Sequence, residues 1–525
     1  MKILYNANII TLNPDQPRVS ALAISDGKIL AAGELDDIQN ITAKNVEKIN
    51  LEGKVVLPGL TDSHIHFLNY ARFLQRIDCE TDTREECLNR VGKKAKILKS
   101  DEWILGHGWN QNVWVNGFGS AVELDQQAPN HPVYLTAKSL HASWANSTAL
   151  QVAGITSSTP DPTGGKIVRN EHGQPTGILL ESAMSLVEKV IPPPSTKVNQ
   201  QALLLAQTAL WKLGLTGIHD FDPIECFDAL QSLDIEDKLR LRVVKSIPLD
   251  HLKEAIALKL HSDFGSDFIK IGSVKLFADG ALGPRTAAML QPYESETSNA
   301  GMLFLDNEEI YEIGQTAVAS GLSLAVHAIG DRANHEVIKA FSSLRDFEKV
   351  SGYKHLKHRI EHVQVLNPDD FVMLQKSGII ASMQPIHATS DMFIADQHLG
   401  PRAAGAYAWN TLIKAGTSLI FGSDAPVESP DPFWGIHAAV TRSRRDDSSL
   451  PNGWYPEQCL SVHQAILAYT MGYSTQNHSG AIAPGYHADL ITLDEDPYLV
   501  QPKNLWGLKP TATMVAGEWV WQAEN

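Results

Sequence analysis

The sequence has no apolar run long enough to cross a membrane and no long basic run. A spanning helix needs about 18 to 20 consecutive apolar residues, and no such stretch occurs. The formal net charge is −16, so the positive surface that attracts nucleic acid is missing. The first twelve residues alternate like a strand and lack the successive regions of a signal peptide. We therefore expect a cytoplasmic protein with no nucleic-acid or membrane partner, and a small neutral or cationic substrate.

Cysteine is scarce. The four cysteines, Cys79, Cys87, Cys226 and Cys459, are scattered without any CxxC spacing. This pattern argues against a disulfide framework and against a cysteine-based structural zinc site. We expect buried or incidental thiols at these positions.

The chain is longer than one hydrophobic core usually supports, at 525 residues, so we expect a large domain and a smaller one. Short strand-like runs with glycine turns occupy both ends: residues 3–10, 21–24, 28–32, 488–493, 512–515 and 519–521. Neither set is long enough to bury both of its faces alone. We therefore predict a small β-sandwich domain formed from residues 1–54 and 481–525.

The middle of the chain alternates apolar strand-like runs with longer helical patterns, which is typical of βα units and a parallel sheet. Eight such runs are present: residues 55–60, 216–221, 239–246, 274–277, 323–327, 359–363, 379–383 and 418–421. Eight matches an α/β fold of the (β/α)8 TIM-barrel class, here over residues 55–480. Residues 76–210 hold extra elements, including hairpin-like runs at 164–168 and 177–180, and we predict an insertion after the first barrel strand.

Imidazoles and one carboxylate recur where predicted barrel strands end. His64 and His66 follow the first run two residues apart, so on an extended backbone they point the same way. His327, His362 and Asp424 end or follow three other runs, and such strand ends converge on the face where barrel active sites lie. The alternative is a set of unrelated surface or core histidines. We predict a metal site, with zinc suited to these ligands and iron, manganese or nickel as alternatives.

Several segments resemble the amidohydrolase superfamily, and more closely its family 3, the branch that contains N-substituted formamide deformylases. They extend over nearly the whole chain: LPGLTDSHIH at 57–66, VKLFADGALG at 274–283, HAIGD at 327–331, RIEH at 359–362, GSDAP at 422–426 and GYHADL at 485–490. The resemblance implies that the chain is a metal-dependent hydrolase.

The resemblance also implies a ligand set. Lys275 is expected to be a carboxylated lysine that bridges two metal ions, with His64, His66 and Asp424 on one ion and His327 and His362 on the other. A one-metal site is the alternative. The alternative for Lys275 is a plain lysine that forms a salt bridge near Asp279. In that case Glu181 is the candidate for the carboxylate that would replace carboxylated Lys275 as a metal ligand.

These parts imply hydrolysis of a carbon–nitrogen bond in an amide, N-acyl or N-formyl compound, but not in a peptide. A metal ion lowers the pKa of water from 15.7 towards about 7 and polarises a carbonyl. Asp424 then serves as the general base and returns the proton to the leaving nitrogen. Two alternatives stay open: the same chemistry on an ester, a lactone or a deaminated ring, and a non-catalytic binding or regulatory relative.

Four further residues are candidates for substrate binding: Trp109, Trp114, His141 and Arg285. Aromatic walls and one arginine can orient an apolar or anionic group, and His141 lies in a segment resembling one that reads Asp-Gly-His in the family, where this chain has Ser139 and Leu140 before the histidine. The alternatives are core packing, a salt bridge and a histidine satisfied inside the insertion. His219 is expected in the core, and a homodimer is expected by analogy with other barrel enzymes.

Overall fold

The computed structural model describes residues 1–40, 46–115, 117–139, 141–446, 448, 452–470 and 478–524. The chain divides into two compact units, one of Met1–Tyr70 and Leu203–Asn525 and the other of Ala71–Ala202. In the described ranges, no helix is both long and apolar enough to span a membrane. The first unit contains every residue that the sequence predicts to bind metal.

The described residues form these strands: β1 Lys2–Ile10, β2 Arg18–Ser25, β3 Lys28–Gly33, β4 Glu47–Asn50, β5 Val55–Pro58, β6 Leu60–Ile65, β7 Ile77–Asp78, β8 Ile104–Trp109, β9 Val133–Ala137, β10 Ala142–Ala145, β11 Gly165–Arg169, β12 Pro175–Glu181, β13 Leu215–Asp220, β14 Arg242–Pro248, β15 Ile269–Phe277, β16 Leu324–Ala328, β17 Arg359–His362, β18 Ile380–Met383, β19 Ser418–Phe421, β20 Leu490–Leu493, β21 Ala512–Val515 and β22 Glu518–Gln522. The α-helices are α1 Leu35–Asn40, α2 Phe67–Phe73, α3 Arg84–Ala95, α4 Ala121–Gln127, α5 Ser147–Val152, α6 Ser185–Glu188, α7 Thr196–Lys212, α8 Ile224–Ile235, α9 Leu252–Ala257, α10 Asn307–Ala319, α11 Asp331–Ser351, α12 Asp370–Lys376, α13 Pro385–Leu399, α14 Trp409–Lys414, α15 Pro432–Thr441 and α16 Val462–Ala468.

Eight parallel strands of the first unit form the barrel, in the order β6, β13, β14, β15, β16, β17, β18, β19. The residues after β19 return to β6: the Asp424 N–H donates to the His64 carbonyl at 2.7 Å, and the His66 N–H donates to the Ala425 carbonyl at 2.9 Å. Helices follow the strands, as in α/β barrels. The predicted TIM barrel is confirmed.

The first barrel strand was predicted in the wrong place. Residues 55–58 form β5, which pairs with β1 and β20 of the terminal sheet, whereas the barrel strand is β6, Leu60–Ile65. The chain passes from one sheet to the other at Gly59, where a Cβ atom would lie 2.2 Å from Thr216 Oγ1. Apolar patterning detects β5 but not β6, because β6 is largely buried and yet mostly polar in sequence, LTDSHI.

Both ends of the chain contribute to one eight-stranded sheet, in the order β22, β21, β20, β5, β1, β2, β3, with β4 paired to β1. Its apolar face is made by residues from both ends, such as Leu4, Leu22, Leu490 and Met514. The pairing of the two ends therefore follows from shared burial. The sandwich form and the predicted domain boundaries stay predictions.

The unit Ala71–Ala202 contains its own six-stranded sheet, in the order β11, β12, β10, β9, β8, β7. One of its cores includes the buried rings of Trp109, Trp114 and Trp144. The hairpin-like runs of the sequence form the antiparallel pair β11 and β12.

Buried polar side chains fix the turns at the carboxyl ends of the barrel strands. Asp62 Oδ1 accepts hydrogen bonds from the backbone N–H groups of His64 at 3.1 Å and Ser423 at 3.0 Å. The Asn334 side chain donates to the carbonyls of Ala328 and Gly330 at 3.1 and 3.0 Å. Because these backbone groups are buried, they need such partners, and the turns they hold position the side chains on the strand ends.

We expect Gly422→Ala to destabilise the barrel where its first and last strands meet. A Cβ atom on Gly422 would lie 2.4 Å from the His64 nitrogen and 2.6 Å from Asp62 Oδ1, so β6 or the loop after β19 must shift. Overpacking of this kind costs about 1–3 kcal/mol, which thermal and urea unfolding followed by circular dichroism would measure. Gly507→Ala is the matched control, because nothing lies within 4 Å of its Cβ position. Equal unfolding midpoints for the two variants would contradict this expectation.

Candidate metal centre

Three of the predicted ligands meet at the carboxyl end of the barrel. His64 lies in β6, His362 ends β17 and Asp424 follows β19. Each offers a ligand atom, and these atoms all lie within 4.8 Å of one another. Such a set of two imidazoles and a carboxylate is chemically suited to a first-row divalent metal ion.

His66 and His327 lie against the same cluster. His66 Nε2 is 3.4 Å from Asp424 Oδ1, and His64 Nε2 is 3.5 Å from the same oxygen. The ring centroids of His327 and His362 are 4.6 Å apart, and those of His64 and His362 are 5.0 Å apart. The structure therefore brings all four predicted histidines and Asp424 together.

The second ring nitrogen of three histidines is held by an acceptor side chain. His64 Nδ1 lies 2.6 Å from Glu361 Oε2, His66 Nδ1 lies 3.2 Å from Asp222 Oδ1, and His362 Nδ1 lies 2.8 Å from Gln384 Oε1. Partners of this kind fix the ring orientation and leave Nε2 for a metal ion. His327 differs, because its Nε2 lies 2.9 Å from the Gly280 carbonyl.

Lys275 is buried in β15 without a hydrogen-bond partner for its Nζ among the described residues. The Nζ lies 4.7 Å from the Phe221 ring centroid and 4.9 Å from the Phe277 centroid. The alternative pairing with Asp279 is not formed, because Asp279 accepts backbone N–H groups of Ala288, Ile329 and Gly330. An orphaned amine at this place fits a lysine whose nitrogen carries an added acidic group.

Burial controls the protonation of these groups. It lowers the pKa of Lys275 to about 8, and together with the Lys275 charge it lowers the pKa values of His64 and His327 to about 4. Burial opposes ionisation of Asp424, but the His66 hydrogen bond and the charges of neighbouring histidines hold its pKa well below the usual range. At neutral pH His64 and His327 are therefore neutral imidazoles and Asp424 is an ionised carboxylate, the forms that bind metal.

His66 is the exception among the imidazoles. Burial lowers its pKa, but hydrogen bonds to Asp222 and Asp424 outweigh that effect and raise the pKa to about 10. In the metal-free protein this ring holds a proton between two carboxylates. That proton must leave before Nε2 can bind a metal ion.

Two residues of the centre have left-handed backbone. His362 has φ of 78° and Asp424 has φ of 61°, a region that costs a side-chain-bearing residue energy and occurs often at functional sites. His362 ends a barrel strand and Asp424 follows one. The left-handed backbone therefore occurs at two proposed ligands, where the chain leaves the barrel.

Sequence reasoning missed Glu361, Asp222 and Gln384, which hold the histidines. Asp222 and Gln384 each follow a barrel strand as His66 and Asp424 do, so strand-end position is the signal that could have found them. Glu361 lies inside the segment RIEH at 359–362, but the sequence does not reveal its role because its partner His64 is distant along the chain.

Three of the four predicted substrate residues belong to the unit Ala71–Ala202, and Arg285 belongs to the other unit. Trp109 and Trp114 stack at 6.0 Å between ring centroids in the core of Ala71–Ala202, and exposed His141 pairs with Glu181 at 3.0 Å. Arg285, 39% exposed, lies 3.4 Å from Glu296. These contacts match the core-packing and salt-bridge alternatives, and a substrate role for the four residues stays a prediction. His219 is buried, as expected.

We expect Gln384→Leu to weaken metal binding by about tenfold to a hundredfold, the usual effect of removing an acceptor from a ligating histidine. The substitution keeps the volume and removes the acceptor 2.8 Å from His362 Nδ1. Competition with a chelating dye would measure the affinity. Gln364→Leu is the control, since Gln364 is also buried but its Oε1 has no partner among the described residues. Equal affinities of the two variants would refute this positioning role.

Comparison with known proteins places the chain in a family. Residues 47–521 match the model of the Amidohydrolase family. YtcJ of Bacillus subtilis (strain 168), named as an amidohydrolase, is 32% identical over 99% of this chain and 100% of its own. N-substituted formamide deformylase of Arthrobacter pascens is 24% identical over 98% of this chain and 97% of its own. A metal-dependent hydrolase from Pyrococcus furiosus has a TM-score of 0.78 at 29% identity, covering 95% of this chain and 99% of that one. The chain therefore belongs to the amidohydrolase family.

Proposed function

We propose that the protein is a metal-dependent hydrolase that cleaves a carbon–nitrogen bond in a small non-peptide amide, N-acyl or N-formyl compound. The observation that carries the proposal is the meeting of His64, His362 and Asp424 within 4.8 Å. The relative named N-substituted formamide deformylase supports the choice of bond. The neighbour described as a metal-dependent hydrolase supports the metal requirement.

His64, His66 and Asp424 would hold one divalent ion, and His327 and His362 a second, with carboxylated Lys275 shared between them. Zinc is the ion best suited to such nitrogen and oxygen ligands. The closeness of His362 to His64 and Asp424 also supports a single-ion arrangement. The number of equivalents bound distinguishes the two arrangements.

Asp424 is the proposed acid and base. When bound, a divalent ion supplies Lewis acidity that polarises a carbonyl and makes water easier to deprotonate. Asp424, ionised and 13% exposed, lines a cavity beside the proposed metal centre and would accept the proton from the attacking water. The protonated carboxyl then returns it to the leaving nitrogen, so one group completes both transfers.

The wild-type protein is expected to bind one or two equivalents of a transition metal and to hydrolyse N-formyl or N-acyl amides. The His64→Ala, His66→Ala double variant is expected to lose the metal and to lose hydrolysis by at least about a hundredfold, since both ligands act directly on the ion. Plasma mass spectrometry would measure the metal, and amine release from a panel of amides, esters and lactones would measure the reaction.

The control is the His261→Ala, His463→Ala double variant, which removes two exposed histidines. It should keep both metal and activity. A wild-type protein that binds no metal after reconstitution with zinc, manganese or iron and bicarbonate would overturn the proposal. Hydrolysis of esters or lactones but of no amide would keep the proposed metal centre and would replace amides by esters or lactones as the proposed substrates.

Carboxylation of Lys275 should be visible directly. Its amine must be neutral to react with carbon dioxide, and its burial lowers the pKa to about 8. Carbon-13 nuclear magnetic resonance of protein reconstituted with carbon-13 bicarbonate should therefore show a carbamate resonance. Its intensity should grow as the pH rises through about 8. Lys275→Met should lack this signal while retaining the fold by circular dichroism. An identical spectrum for the variant would exclude Lys275 as the carboxylated residue.

A further inference from the structure

A cavity of about 270 Å³ opens beside the proposed metal centre. Asp424, His327 and His362 line one side of it, and Asp391 and Glu428 line it as well. Its volume lies just below the range of about 300–1,000 Å³ for ligand pockets. The cavity therefore suits a small substrate whose scissile bond lies near Asp424.

Two buried polar atoms in the cavity wall have no partner. Among the described residues, nothing accepts from or donates to His387 Nε2 or Gln364 Oε1, although His387 is only 7% exposed and Gln364 only 3%. A buried polar group without a hydrogen bond destabilises the folded protein, because it has lost its bonds to water. Both side chains line the cavity, so a rotation that turns either atom towards it would let a ligand bond to that atom and relieve this destabilisation.

The cavity also carries an unbalanced charge. Besides Asp424, it is lined by the carboxylates of Asp391 and Glu428, and within the described part of the chain no lysine or arginine lines it. Tyr407 donates to Asp391 Oδ2 at 2.5 Å, and Ser390 donates to Glu428, but hydroxyl donors do not neutralise a charge. A positively charged group of a ligand would neutralise the negative charge of these carboxylates.

Neighbouring arginines do not supply that charge inside the cavity. Arg444 and Arg445 line a separate cavity that shares Glu428. Arg445 lies over the Trp434 ring, 3.2 Å from its centroid, and Arg444 pairs with Asp446 at 3.1 Å. Glu428 therefore already interacts electrostatically with Arg445, whereas Asp391 forms no salt bridge among the described residues.

We propose that this cavity selects amides whose amine part ends in a cationic nitrogen, with Asp391 and Glu428 binding the cation and His387 and Gln364 hydrogen-bonding the polar group beside it. The inference rests on the proposed function, whose substrate class it narrows. His387 and Asp391 are four residues apart on α13, so both side chains lie on one face of that helix. Their spacing places the imidazole and the carboxylate along a single wall.

The test uses three formamides built on the same chain of four methylene groups, ending in an ammonium, a methyl or a carboxylate group. Both the binding constant by calorimetry and the rate of amine release are measured on the metal-loaded protein. The ammonium compound should bind at least tenfold more tightly than the methyl compound, and the carboxylate compound more weakly than either. Glu428→Gln and Asp391→Asn should each reduce the ammonium-to-methyl ratio about tenfold.

Two further variants complete the design. His387→Leu should weaken binding of all three compounds about tenfold, and His387→Gln, which restores a polar group, should recover part of the loss. Glu312→Gln, on the exposed side of α10, is the charge-matched control and should leave the ammonium-to-methyl ratio unchanged.

The outcomes separate the two proposals. Selective binding of the ammonium compound without turnover of any of the three supports the cationic pocket and removes the hydrolytic function on formamides. Turnover without charge preference keeps the hydrolase and overturns the pocket inference. If none of the three compounds binds or is hydrolysed, both proposals are overturned.

Discussion

The buried side chain of Arg359 links four strands inside the barrel. Arg359, 2% exposed, donates from β17 to the Ser63 carbonyl of β6 at 2.6 Å and to Ser382 Oγ of β18 at 2.7 Å, and its Nη1 lies 2.6 Å from His219 Nδ1 of β13. Its charge is balanced by Glu361, whose Oε2 also contacts His64 Nδ1 at 2.6 Å. Burying an ion pair is costly unless both ions are fully hydrogen-bonded. Here the same bonds that satisfy the pair also join four strands and orient a proposed ligand.

Lys275 contrasts with Arg359 in the same interior. The guanidinium has a carboxylate and several acceptors, whereas the Lys275 amine lies against the rings of Phe221 and Phe277 and has no hydrogen-bond partner among the described residues. Burial therefore lowers the pKa of the amine to about 8, and its residual positive charge lowers those of His64 and His327. A cation at this point repels metal ions from the imidazoles. Carboxylation would turn it into an anion that attracts them, which gives the proposed modification a physical reason.

The sequence predicts what depends on local pattern. Most barrel strands contain an apolar run, and the proposed ligands are visible as histidine or aspartate residues that end or follow such runs. The barrel and the meeting of His64, His362 and Asp424 could therefore be anticipated. The break at Gly59 could not, because the apolar run at 55–60 is β5 plus Leu60, and the rest of β6 is polar in sequence although most of it is buried. The partners of the histidines, such as Gln384, depend on contacts between distant segments. Aromatic residue type does not tell whether a side chain lines a pocket or packs in a core. Trp109 and Trp114 belong to a core of Ala71–Ala202, and their role in substrate binding stays a prediction.

The centre and the cavity are built from different kinds of elements, and this division bears on how specificity varies in the family. The proposed ligands lie on or next to barrel strands, whose positions are fixed by the sheet and by Arg359. The proposed cation-binding side chains are Asp391 on α13 and Glu428 in the loop after β19. That loop also carries Asp424, whereas α13 carries no proposed ligand, so substitutions on α13 change the cavity without altering a segment that holds a ligand. A relative that keeps every ligand but replaces Asp391 or Glu428 with a neutral or basic residue should therefore retain the chemistry and accept a different amine. Identity of the metal centre alone is then a poor guide to substrate, and the side chains of α13 that face the cavity are the better one.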